Sequence, residues 1–206
     1  MKTQFSKTKT IGTIMLMALF ALAITSCQKE NIIPDEFNND PIVEAKVIET
    51  PVVPDIIAVP AGNHPIWHCY ATGVQIYKVT QSTVDPNLYL WSFVAPSATL
   101  YNNASYTKKV GDHYVGPTWA ATAGKKAGEY VVGIKLQAIT QDVTAIPWLL
   151  LSAAPSTDPN YYYDVTYIQR INTVGGLAPT TGADAAHLGE ESDVPYTAEY
   201  YFYGAD

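Results

Sequence analysis

Arg170 is the only arginine in a chain of 206 residues. It stands inside an alternating run, Tyr167-Ile-Gln-Arg-Ile-Asn-Thr173, and not in a polar loop. A guanidinium presents a planar fork of donors that matches a carboxylate, so this residue points either to anion recognition or to an internal clamp. In a strand, Val165, Tyr167, Gln169 and Ile171 share one face, and Arg170 shares the other with Thr166, Ile168 and Asn172. A partly buried guanidinium calls for an acid. The sequence offers Glu190, in the acidic loop with Glu191 and Asp193, and Glu199, the one charge in the last apolar run.

His113 is the second residue with usable chemistry. It follows Asp112 and precedes Trp119 in Gly-Asp-His-Tyr-Val-Gly-Pro-Thr-Trp. A neighbouring carboxylate can orient an imidazole as a general base. The alternative is a loop whose histidine bonds the backbone while Trp119 packs. His113, Trp119, Gln169, Arg170 and Glu190 form the candidate binding set. His64 and His68 would suit a metal pair on a helix, but Pro65 and a strand pattern place them about 13 Å apart. The acidic residues lack the spacing of a calcium loop, and His187 lies in a polar loop. No G-x-S-x-G, H-E-x-x-H or phosphate loop is present. The residues thus call for no metal and no nucleotide cofactor.

These side chains need elements to hold them. Pro65–Ala71 and Val74–Val79 read as strands around a tight connection at Thr72-Gly73, followed by Tyr89–Val94 and Ala98–Tyr101. In Tyr130–Ile139, Val132, Ile134, Leu136 and Ala138 share an apolar face. Ala145–Ala153 is apolar on both faces and reads as a strand covered on both sides. Val165–Val174 and Tyr196–Tyr203 alternate, the latter with Tyr196, Ala198, Tyr200 and Phe202 together. No segment combines a helix start, a 3.6-residue period and a stop. The expected fold is all-β: a single antiparallel β-sandwich or partly closed β-barrel, with little helix outside the leader.

The leader comprises residues 1–26: Lys2, Lys7 and Lys9, then an apolar run from Ile11 to Ile24 that is short for a bilayer span. It ends Ile-Thr-Ser-Cys27, which resembles a bacterial lipobox and implies acylation of Cys27. Residues 27–54, rich in Pro and acids, read as a tether, and 55–206 as the β-rich domain. Cleavage removes three of the twelve basic residues and none of the nineteen acids, leaving a net charge of −10. That balance argues against nucleic acid and makes the lipid the expected attachment to the membrane. The expected address is the outer membrane or cell surface, and the Lys-acid start after Cys27 resembles surface-export signals of Bacteroidetes lipoproteins. Cys69 would be a buried thiol.

Seven segments taken together resemble the domain-of-unknown-function 3455 family. They are Val59–Gly62, Gly73–Tyr77, Phe93–Tyr101, His113–Trp119, Ala145–Leu151, Tyr167–Thr173 with Gly175-Gly176, and Val194–Tyr203. The resemblance implies a secreted β-rich domain without an established activity. Some relatives carry a dehydrogenase label, but no G-x-G-x-x-G opens a helix here. Three classes of function stay open: a surface module for a glycan or protein ligand, a hydrolase using His113 and acidic residues, and a structural envelope protein. On the anchor the expectation is definite. Cys27→Ala moves the protein from the membrane to the soluble fraction in cell fractionation, and retention at the wild-type level contradicts it.

Overall fold

The computed structural model describes residues 47–206. The leader, Cys27 and most of the expected tether lie outside the described residues. The chain is all-β. Its strands are β1 (Asn63–Gln81), β2 (Tyr89–Tyr101), β3 (Lys109–Tyr114), β4 (Thr118–Ala121), β5 (Tyr130–Ile139), β6 (Trp148–Ala153), β7 (Tyr167–Gly175) and β8 (Glu191–Ala205). Each pairs antiparallel with the next, and β8 returns to pair with β1 from Asn63↔Ala205 to Lys78↔Glu191. The ring is closed, where the sequence suggested at most partial closure. Closure follows from the length of β1, whose 19 residues serve β8 along one edge and β2 along the other.

The expected connection at Thr72-Gly73 is not a turn. Both residues lie mid-strand, with Gly73 opposite Ala98 on one side and Tyr196 on the other. A Cβ on Gly73 would lie 2.1 Å from the Ser97 carbonyl oxygen, so glycine here permits the β1 and β2 backbones to approach. Tyr89–Tyr101 is likewise one strand, kinked by a bulge opposite Ile76/Tyr77.

Alternation gives the ring two faces. Inside lie Cys69, Ala71, Leu100, Trp119, Val131, Leu151, Ile168, Tyr196, Ala198, Tyr200 and Phe202, a single packed cluster. The face expected for the last run is therefore the inner one. In β5, up to the bulge between Lys135 and Gln137, the faces are reversed from expectation: Val131 and Gly133 point inward, while Ile134 and Leu136 are 48% and 46% exposed. The cause is Trp119, whose ring atoms would lie 2.9 Å from a Cβ on Gly133 and so fill that space. β6 is covered on both sides, as its sequence indicates. Leu151 faces the interior, and Leu150 faces outward beneath a strap that contains a 3-10 turn at Asp55–Ile57.

The strap packs Val53, Ile57 and Val59 onto Leu150, Ile171 and Tyr201. The packed body thus begins ahead of residue 55. One buried polar contact fixes it: Gln169 Nε2 donates to the Ile57 carbonyl at 2.6 Å, and Tyr203 Oη donates to Gln169 Oε1 at 2.5 Å. Gly73→Ala tests the strand reading directly. Overpacking against backbone costs about 1–3 kcal/mol or more, read as a lowered urea midpoint, whereas a turn position would tolerate alanine with the midpoint unchanged.

Candidate functional site

Four of the distinctive sequence segments send side chains to one region of the inner wall. From β1 come Gln75 and Tyr77, from β3 and β4 His113 and Trp119, from β7 Arg170, and from β8 Tyr196 and Tyr200. Strand register makes the neighbours. His113 is paired with Trp119, and their rings stack at 4.3 Å with 11° between planes. Arg170 is paired with Tyr200, which meets the His113 ring at 5.2 Å and the Trp119 ring at 5.3 Å.

His113 is 3% exposed. Its Nδ1 lies 2.8 Å from the Thr118 carbonyl oxygen and donates to it, which leaves Nε2 as the acceptor. Burial pushes its pKa down to about 3; the Thr118 carbonyl opposes the shift and the Arg170 charge adds to it. Asp112 does not orient the imidazole. It is one residue out of phase, on the outer face, paired with Lys109 at 2.8 Å.

Arg170 departs further from expectation. Its Nε and Nη2 donate to the Pro147 carbonyl at 3.1 and 2.8 Å. Among the described residues no carboxylate lies within 4.0 Å of it. Glu199 fails as a partner because Tyr200 occupies the inward position beside Arg170, which turns residue 199 outward to His68 and Asn172. Glu190 is exposed on the turn before β8, where its carbonyl accepts from Val79 N–H. Gln169 lies on the outer wall beneath the strap. The five expected residues therefore divide: His113, Trp119 and Arg170 converge, and Gln169 and Glu190 do not.

The wall beside Arg170 is incomplete. β4 reaches β5 only at Tyr130–Val132, so the later part of β5 has no strand on that side. Arg170 stands opposite Leu149, and Leu149 opposite Ala138 of this uncovered stretch. Its guanidinium is accordingly half-buried. Nearby, Tyr77 Oη donates to the Gly176 carbonyl at 2.7 Å and Thr173 Oγ1 to the Ile146 carbonyl at 2.6 Å, which fixes the two loops at this end. A Cβ on Gly176 would lie 2.9 Å from Tyr196 Cβ and 3.1 Å from Gln75 Cγ, so Gln75 packs under the same loop.

Two buried donors on this wall, Gln75 Nε2 and Trp119 Nε1, have no hydrogen-bond partner. Burial raises the pKa of Tyr196 and of Tyr200, and the Arg170 charge acts against both shifts. Among the described residues the wall is thus rich in donors and neutral hydroxyls, with Arg170 as a permanent cation and no counter-charge beside it. Gln75, Tyr77, Tyr196 and Tyr200 join the site without a signal of residue type, and only their places in distinctive segments mark them in the sequence.

A family model described as Protein of unknown function (DUF3455) matches residues 60–204. No curated protein and no solved structure matches the chain.

The state of His113 is open to a pH test. The unfolded chain binds a proton at this residue below about pH 6.5 and the folded chain only near 3, so the unfolded state holds more protons in between. Its contribution to stability is complete above pH 6.5 and is lost as the pH falls toward 3. At pH 5, imidazole 15N spectra should show His113 neutral with Nδ1–H, while exposed His187, raised by its hydrogen bond to Asp184, is charged. A His113 that titrates near 6.5 contradicts the buried placement.

Proposed function

Because the chain belongs to the DUF3455 family of proteins of unknown function, we propose a role for it from its inner wall: it is a binding module whose ligand presents a carboxylate to Arg170. The observation that carries this reading is a half-buried guanidinium with no acid partner among the described residues. Removing a charge from water costs several kcal/mol unless an opposite charge compensates it. The Pro147 carbonyl engages Nε and Nη2 and supplies no full charge. A ligand carboxylate would supply one.

The surroundings support the same class of ligand. Gln75 Nε2 and Trp119 Nε1 leave two unpaired N–H groups buried in the same wall. Lys135 stands opposite Leu151, at an inward register position, yet is exposed. It adds a second positive charge at the rim, which favours the approach of an anion. The hydrolase reading draws less support: His113 is buried and neutral, and it is oriented by a carbonyl, not a carboxylate. With Cys27 acylated and the intervening residues as tether, the module would work at the outer membrane or cell surface.

Calorimetric titration of the mature chain with succinate, glucuronate and related carboxylates tests this. One of them should bind, and Arg170→Lys, which keeps the charge but not the fork, should weaken binding about tenfold or more. Binding equal in wild type and Arg170→Lys, or none across the set, contradicts the proposal.

A further inference from the structure

The outer wall carries a second cluster that the Arg170 site does not use. Two outward register pairs join β1 to β8: His68 opposite Tyr201 and Tyr70 opposite Glu199. The His68 ring stacks on Tyr201 at 4.0 Å with 17° between planes and meets the Tyr70 ring at 4.7 Å. Glu199 accepts from both sides, from His68 Nε2 at 2.9 Å and from Asn172 Nδ2 at 3.0 Å. Those bonds hold its pKa below the ordinary glutamate range, so it remains a carboxylate at neutral pH.

Asn172 reaches Glu199 because β7 bulges between Ile171 and Val174. Without the bulge, alternation would turn Asn172 inward beside Arg170. The bulge puts it at φ 50, a left-handed conformation uncommon outside glycine and tolerated best by Asn and Asp. Such local strain persists where surrounding structure enforces it, often at ligand sites.

His68, Tyr70 and Tyr201 of this cluster line a groove of about 690 Å³. Trp67, His68, Tyr70 and Tyr201 give its aromatic lining, Asn102 and Asn103 its amides, and Val47–Glu49 its rim. The volume suits a small-molecule ligand. With Nε2 donating to Glu199, His68 keeps Nδ1 as a second polar atom. Nδ1 has no partner among the described residues and is not sealed from solvent. Neither the Tyr70 nor the Tyr201 hydroxyl makes a hydrogen bond among the described residues.

The charge of the groove separates it from the inner wall. Glu49 is the acid on its rim, and Glu49 and the nearby Glu199 both act on Tyr201, which burial first of all pushes up to about 12. Among the described residues no lysine or arginine lines it. A carboxylate ligand would be repelled here. The groove instead offers flat rings with large contact area at low entropic cost. Around them stand a carboxylate acceptor, amides that both donate and accept, and free phenolic hydroxyls. A polyhydroxylated ring with apolar C–H faces and an uncharged rim of hydroxyls complements that set.

We propose that this outer groove is a binding site for a neutral sugar unit, packed against Tyr70, His68 and Tyr201 with hydroxyls bonded to Glu49 and the asparagine amides. The domain then has two separate sites of different charge, one for an anion inside the ring and one for an uncharged glycan outside it.

The test titrates the mature full chain with neutral oligosaccharides (cellotriose, xylotriose, mannotriose, maltotriose and chitotriose) by calorimetry, with choline as a cationic probe. One or more of the sugars should bind. Tyr201→Ala should weaken that binding about tenfold or more, and Tyr70→Ala should weaken it as well. Tyr201→Phe, which keeps the ring and the fold, should retain most of the affinity. Three results overturn the proposal: no sugar binds a chain whose circular dichroism is native, choline binds in their place, or sugar affinity is unmoved by both alanine variants.

Discussion

Pairing between β1 and β8 is the contact on which the molecule rests. It joins the two ends of the domain over nearly the whole of both strands, and without it the sheet would be open with two long edges. Closure decides what lies inside. Once β8 is set against β1, Tyr196, Ala198, Tyr200 and Phe202 must fill the ring, and Trp119, stacked on His113, meets Tyr200 and Phe202 at its centre. Gly73 and Gly133 follow as consequences, one where backbones close in and one where the Trp119 ring passes.

The same closure sorts polar groups between two environments. Residues 199 and 200 are neighbours in sequence, yet Glu199 belongs to an outer network with His68 and Asn172, and Tyr200 belongs to the inner wall beside Arg170. The chain therefore keeps its buried-side cation and the adjacent glutamate on opposite sides of one sheet. An internal clamp between them would have left the inner wall neutral. Its absence leaves a site with donors in excess, and the break in the wall beyond Val132 leaves the guanidinium reachable from outside.

Much of this was legible in the residues, and the failures share a cause. The aromatic face of the last strand and the doubly covered β6 could be read because the pattern itself marks them. The alternation of β5 was equally clear, but which face is inside depends on Trp119, a residue of another strand. Thr72-Gly73 looked like a turn because glycine in a strand and glycine in a turn have the same local sequence, and only the approach of Ser97 distinguishes them. Arg170 stands out by its rarity and its strand setting. The need for a charge partner does not identify one, because register, fixed by the whole ring, controls which acid can reach. His68, Asn172 and Glu199 come together through two bulges, and a bulge leaves little trace in one sequence.

A single arginine makes the central claim accessible to one spectrum. In a 15N-labelled mature chain, the Nε–Hε group of Arg170 gives one cross-peak, free of overlap with other arginines. Titrated with the carboxylates, that peak should move and saturate with one of them and should stay in place with a neutral sugar. An Arg170 peak unmoved by every carboxylate, or a carboxylate that binds while only other resonances shift, would contradict the account.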